Sequence, residues 1–198
     1  LYASGGTLAA ARSAVQRNGI AVNLAGGYHH AQPDKAEGFC AIADVAIAIR
    51  RLRAEGIHDR VLIVDLDAHH GNGNAIIFAH DESVFTFSIH DVRWCNIDKR
   101  NHLDVELPPH TGDADYLAVL AEHLPLIMAT FAPALVIYVA GSDPYVGDPI
   151  GVFDLSERGI FERDRIVTSE TFGKGAALAV VTAGGYGETS WRLYYNYF

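Results

Sequence analysis

The segment from Val61 to Gly73 does most to limit what this chain can become. Val61-Leu62-Ile63-Val64 is an unbroken apolar run, the mark of a strand buried on both faces. It passes directly into Asp65-Leu66-Asp67-Ala68-His69-His70-Gly71-Asn72-Gly73, two carboxylates and two imidazoles followed by turn-forming glycines. Side chains alternate along a strand, so Asp65, Asp67 and His69 are expected on one face. Oxygen and nitrogen ligands without thiolate suit zinc, or iron(II), and the alternative is a strand that merely ends in a polar loop.

The rest of the chain repeats the alternation of strand and helix. Strands are predicted at Ile20–Leu24, Val61–Leu66, Val84–Ile89, His102–Leu107, Ala134–Val139 and Ala177–Thr182. Helices are predicted at Ala9–Arg17, Phe39–Ala54, Asn74–Ala79, Tyr116–Thr130, Glu157–Phe172 and Thr189–Phe198, with Pro125 expected to bend or break its helix. Such a series gives a three-layer α/β fold, helices on both faces of a mainly parallel sheet, and one domain over residues 1–198. In such sheets ligands bind beyond the carboxyl ends of the strands. Five polar clusters fall at those ends: Gly26-Gly27-Tyr28-His29-His30-Ala31, Asp65 to Asn72, Ser88 with His90 and Asp91, Gly141-Ser142-Asp143-Pro144, and Ala183-Gly184-Gly185-Tyr186-Gly187.

A formal net charge of −9 argues against non-specific binding to nucleic acid or anionic membranes. Cys40 and Cys95 form no CxxC pair and no disulfide framework, which fits a reducing, cytoplasmic setting. Neither a transmembrane run nor a signal peptide is expected, and a start on Leu1 suggests that an N-terminal portion is missing.

Taken in order, four of these clusters, all but Ser88 with His90 and Asp91, together with Gly38-Phe39-Cys40 resemble the zinc-dependent histone deacetylases, whose usual Gly-Phe-rich loop is replaced here by His90 to Cys95. The Asp67-Ala68-His69 context, Gly147-Asp148-Pro149 and Glu162-Arg163-Asp164 look most like the class IV branch and its bacterial relatives. The resemblance implies an arginase/deacetylase fold without the family's first strand and N-terminal rim loops. It also implies zinc held by Asp67, His69 and Asp143. His30 is then the general base, backed by Asn72, and His29 the second histidine, backed by Asp65. Tyr186 is the oxyanion donor. Phe39, Trp94, Gly184 and Gly185 line a tunnel for an acyl-lysine stem, although Phe39 could equally be core. Potassium or sodium would sit at Asp65, Asp67, His69, Ser88 and Ile89, with Phe78 and Val84 at a second such site.

The activity so implied is removal of an acetyl or longer acyl group from acyl-lysine in proteins or from a small acylated amine. Alternatives are a silent metal-binding or truncated homologue, and a ureohydrolase with two metals. The second needs a carboxylate two residues after His69, where Gly71 stands. His58, His80, His102, His110 and His123 read as solvated or structural residues of loops and helices.

Overall fold

The computed structural model describes residues 1–97 and 100–198. It has helix α1 (Tyr2–Arg17), strand β1 (Ile20–Asn23), α2 (Asp44–Ala54), β2 (Val61–Asp65), α3 (Asn72–Ile77), β3 (Val84–His90), β4 (His102–Glu106), α4 (Asp113–Phe131), β5 (Leu135–Val139), α5 (Glu157–Gly173), β6 (Ala177–Val181) and α6 (Ser190–Tyr197). The strands form one sheet in the order β1-β6-β5-β2-β3-β4, and every neighbouring pair is parallel. This is the three-layer α/β architecture expected from the sequence.

The period of two sorts the core. Ile63, Ile137 and Ala179 pack against α1 and α2, while Leu62, Val64, Val136, Tyr138 and Val180 pack against α4 and α5. The central strands β2, β5 and β6 are buried at every position, which accounts for their uninterrupted apolar sequence.

Three local expectations change. The helix predicted from Phe39 starts only at Asp44, because Phe39 takes φ 62 and residues 39–43 form a loop. Pro125 lies inside an uninterrupted α4. The carbonyl that loses its partner belongs to Ala121, which is exposed, so water can serve it. α4 is also long and apolar enough in composition to cross a membrane, contrary to the expectation that no segment is. Here Tyr116, Leu120, Leu124, Ile127, Met128 and Phe131 bury one face of it in the core.

Candidate metal centre and active site

The polar clusters converge at the carboxyl ends of β1, β2, β5 and β6. β2 itself stops at Asp65, so Asp67 and His69 share a side by a bend and not by continued alternation. The bend follows from where the backbone N–H groups go. Asp67 N–H donates to Asp65 Oδ1, Ala68 N–H to Asp143 Oδ1 and His69 N–H to Asp67 Oδ1, so carboxylates replace the neighbouring strand as acceptors.

His69 Nδ1 lies 3.0 Å from Asp67 Oδ1 and 2.9 Å from Asp143 Oδ2. One ligand atom from each of Asp67, His69 and Asp143 falls within 4.8 Å of the others. Hydrogen bonds to Asp143 and Asp67 lift the His69 imidazole to about 11. Burial and the neighbouring Asp67 charge push the Asp143 carboxyl up, whereas His29 and His69 overcome burial to hold Asp67 down. Two buried carboxylates thus demand a positive partner. The donor set, two oxygens and one nitrogen, fits a divalent ion of the zinc class. Glycine frames it on two sides: a Cβ on Gly141 would meet Asp67 Oδ2 at 2.6 Å, and one on Gly184 would meet it at 2.5 Å.

The adjacent histidines differ in charge. His29 Nδ1 bonds Asp65 Oδ2 at 2.8 Å, and its Nε2 lies 3.6 Å from Asp67 Oδ1. Burial pulls His29 down, but Asp65 and Asp67 outweigh it and lift the imidazole to about 9. His30 Nδ1 bonds Asn72 Oδ1 at 2.8 Å. Burial and the charge on His29 push His30 down to about 3, so it is neutral. Asn72 in turn donates from Nδ2 to Glu37 Oε2 at 2.8 Å. That bond fixes which end of the amide faces His30. Nδ1 must then carry the imidazole proton, and the Nε2 lone pair is free.

Several residues that position this centre carried no local signal in the sequence. Glu37 orients Asn72. Asp44, fully buried, accepts from the N–H groups of Gly27 and Tyr28 and from Thr7 Oγ1, and so sets the loop that bears both histidines. Arg163, 1% exposed, donates to Leu66 O at 3.1 Å and Gly141 O at 2.7 Å, clamping the two strand ends that carry the ligands. Its charge is met by Asp164, which also accepts from Tyr138 Oη. Asp148 accepts from Tyr186 N–H and Gly187 N–H and holds the last loop. Arg163, Asp164 and Asp148 were marked only by the Glu162-Arg163-Asp164 and Gly147-Asp148-Pro149 strings.

Tyr186 is half-exposed, its hydroxyl makes no hydrogen bond among the described residues, and its ring centre lies 6.1 Å from that of Phe39. Phe39 is 84% exposed and therefore not core. Trp94 stacks on His30, with ring centres 4.1 Å apart. Gly184, half-buried, donates its N–H to Asp67 Oδ2 at 2.9 Å. Beside it, Gly185 has φ 148, and a Cβ there would meet Ser142 Oγ at 2.0 Å. Asp65 pairs with Ser88 in the sheet, next to Ile89, and Ser88 Oγ bonds His90 Nδ1. Phe78 and Val84 flank the turn at Asp81. His102 lies on β4, not in a loop or helix.

A histone deacetylase domain matches residues 1–198. The chain is 42% identical over 198 residues to an uncharacterized protein of Picosynechococcus sp., covering 100% of this chain and 66% of that one. It is 38% identical over 197 residues to Histone deacetylase 2 of Arabidopsis thaliana, covering 96% and 50%. To the acetoin utilization protein AcuC of Staphylococcus aureus it is 34% identical over 188 residues, covering 86% and 47%. The chain belongs to the histone deacetylase family. It spans between 47% and 66% of the length of these relatives.

Proposed function

We propose that this protein is a zinc-dependent deacylase that hydrolyses the amide of an acylated lysine or of a small acylated amine. The observation that carries the reading is the pairing of a three-ligand centre with a neutral His30 whose Nε2 is free. Asp67, His69 and Asp143 would hold the ion. When bound, zinc polarises the amide carbonyl and makes water a better nucleophile. His30 takes a proton from the attacking water and returns it to the leaving amine. His29, kept charged by Asp65, holds water beside it. Tyr186 donates its hydroxyl to the developing oxyanion. Phe39, Trp94, Gly184 and Gly185 bound the substrate channel, and potassium or sodium beside Asp65, Asp67, His69, Ser88 and Ile89 stiffens the base of the site.

A single catalytic unit, related most closely to the class IV branch, working in the cytoplasm on acylated proteins or amines and not on nucleic acid or membranes, completes the reading. The ureohydrolase alternative loses further support at Gly71, where a Cβ would meet Asp65 Oδ2 at 2.2 Å, so the position has no room for a carboxylate.

The test is release of free acid from acetyl-, octanoyl- and myristoyl-lysine peptides by zinc-loaded protein, beside Tyr186→Phe and His30→Ala. Release that collapses in both variants supports the reading, and the best chain length reports channel depth. No release from any peptide at one bound zinc would overturn it for acyl-lysine substrates.

A further inference from the structure

A second group of ligand-type side chains lies behind His69, around its neighbour His70. His70, His90 and Asp104 each bring one such atom to within 4.8 Å of the others. The two imidazoles are fully buried, with ring centres 4.4 Å apart, and the Asp104 side chain is 2% exposed. Asp104 Oδ2 accepts from His70 Nε2 at 2.9 Å and from His102 Nε2 at 2.7 Å. Two polar atoms of the group are left over. Buried His90 Nε2 and Asp104 Oδ1 have no hydrogen-bond partner among the described residues. Buried groups of this kind are nearly always paired, and two unmet atoms within one cluster of ligand-type side chains ask for a further bound species.

The remaining contacts suit an ion. Ser88 Oγ lies 2.8 Å from His90 Nδ1 and can accept its proton, which leaves Nε2 as a lone-pair donor with its tautomer fixed from behind. Nothing in the deacylase chemistry uses His90, His102 or Asp104. We propose that His70, His90 and Asp104, with His102 alongside, form a second site for a divalent transition metal of the zinc class.

Loading this site has a structural consequence. Trp94 N–H donates to His70 Nδ1 at 3.0 Å, so in the metal-free protein the His70 proton sits on Nε2 and faces Asp104. A metal on Nε2 displaces that proton to the other ring nitrogen. The Trp94 amide then loses its acceptor, and the indole stacked on His30 shifts. Occupancy of the second site is therefore read by Trp94.

The experiment counts metal in the full chain, stripped with chelator and then titrated with Zn2+ or Co2+, by elemental analysis and visible absorption. Wild-type protein should take two equivalents, and His90→Ala and Asp104→Asn one each. The double variant Asp67→Asn/Asp143→Asn should keep one, lost on adding His90→Ala. Circular dichroism checks that each variant is folded. A readout on an unaltered cluster uses Trp191→Phe, in which Trp94 is the sole indole. Its emission should change with the second Co2+ equivalent. Saturation of wild-type protein at one equivalent overturns the proposal and leaves a bridging water between His90 and Asp104. So does a second equivalent that survives His90→Ala. Neither result bears on the deacylase reading, because no activity is measured.

Discussion

The indole of Trp94 lies flat on the imidazole of His30, with ring planes 5° apart, and meets His69 edge-on at 6.2 Å. A partly exposed aromatic therefore roofs the proposed base and narrows the approach to it. Trp94→Ala should open that approach. The ratio of kcat/KM for octanoyl- over acetyl-lysine peptide is expected to rise several-fold, and an unchanged ratio would mean that Trp94 does not bound the acyl path.

His30 is held down by burial and by charged His29, with Asn72 as its neutral partner. A general base works deprotonated, so rate is lost as pH falls through its pKa. Asn72→Asp places a carboxylate there and raises that pKa. The acid limb of the kcat/KM profile should move to higher pH. Because the new carboxylate also faces Glu37, the cleaner comparison adds Glu37→Gln. A profile that stays in place in both variants would sink the assignment of His30 as the base.

Tyr186→Phe removes only a hydroxyl. The loop is anchored through backbone N–H groups on Asp148, so the fold should persist. Losing an oxyanion donor costs roughly a hundred- to a thousand-fold in rate. The loss should fall on kcat, with KM little changed, in steady-state kinetics.

Arg163→Met is expected to be the most damaging single change outside the metal ligands. It strands the carbonyls of Leu66 and Gly141 and leaves Asp164 as a buried, uncompensated charge. Breaking such a pair costs about 3–5 kcal/mol. Urea unfolding should show it, and Arg163→Met/Asp164→Asn should recover part of the loss.

The Cys40 thiol is pushed up to about 11, first by burial and then by Asp67, Asp44 and Asp65. The thiolate is the reactive form. Alkylation of Cys40 by iodoacetamide should therefore be slow at pH 8 and accelerate as pH approaches 10, followed by peptide mass spectrometry. Rapid labelling at pH 8 would show the thiol to be far more acidic than its surroundings imply.

The alternation of strands and helices was legible because a parallel sheet leaves its mark as apolar runs, such as Val61–Val64 and Leu135–Val139. Element starts were harder. Phe39 sits at helical spacing from Asp44 onward, yet its left-handed backbone belongs to the loop, and spacing alone cannot report φ. The candidate ligands were legible as residue types, but their convergence on one side was inferred from a strand that ends too early. What set the bend, carboxylates capturing N–H groups, is a contact between Ala68 and Asp143, 75 residues apart. Glu37 and Asp44 escaped for the same reason: each is an ordinary charge until the fold brings its partner.

Asp44 also bears on the order in which this molecule can be built. One carboxylate ties Thr7 of α1 to the loop after β1 while riding on the first turn of α2. His29 and His30 then reach partners 36 and 42 residues further along. Closing such distant contacts is slow relative to forming helices. During refolding, secondary structure should therefore return well ahead of metal affinity, and a chain caught halfway would be helical yet unable to hold its ion.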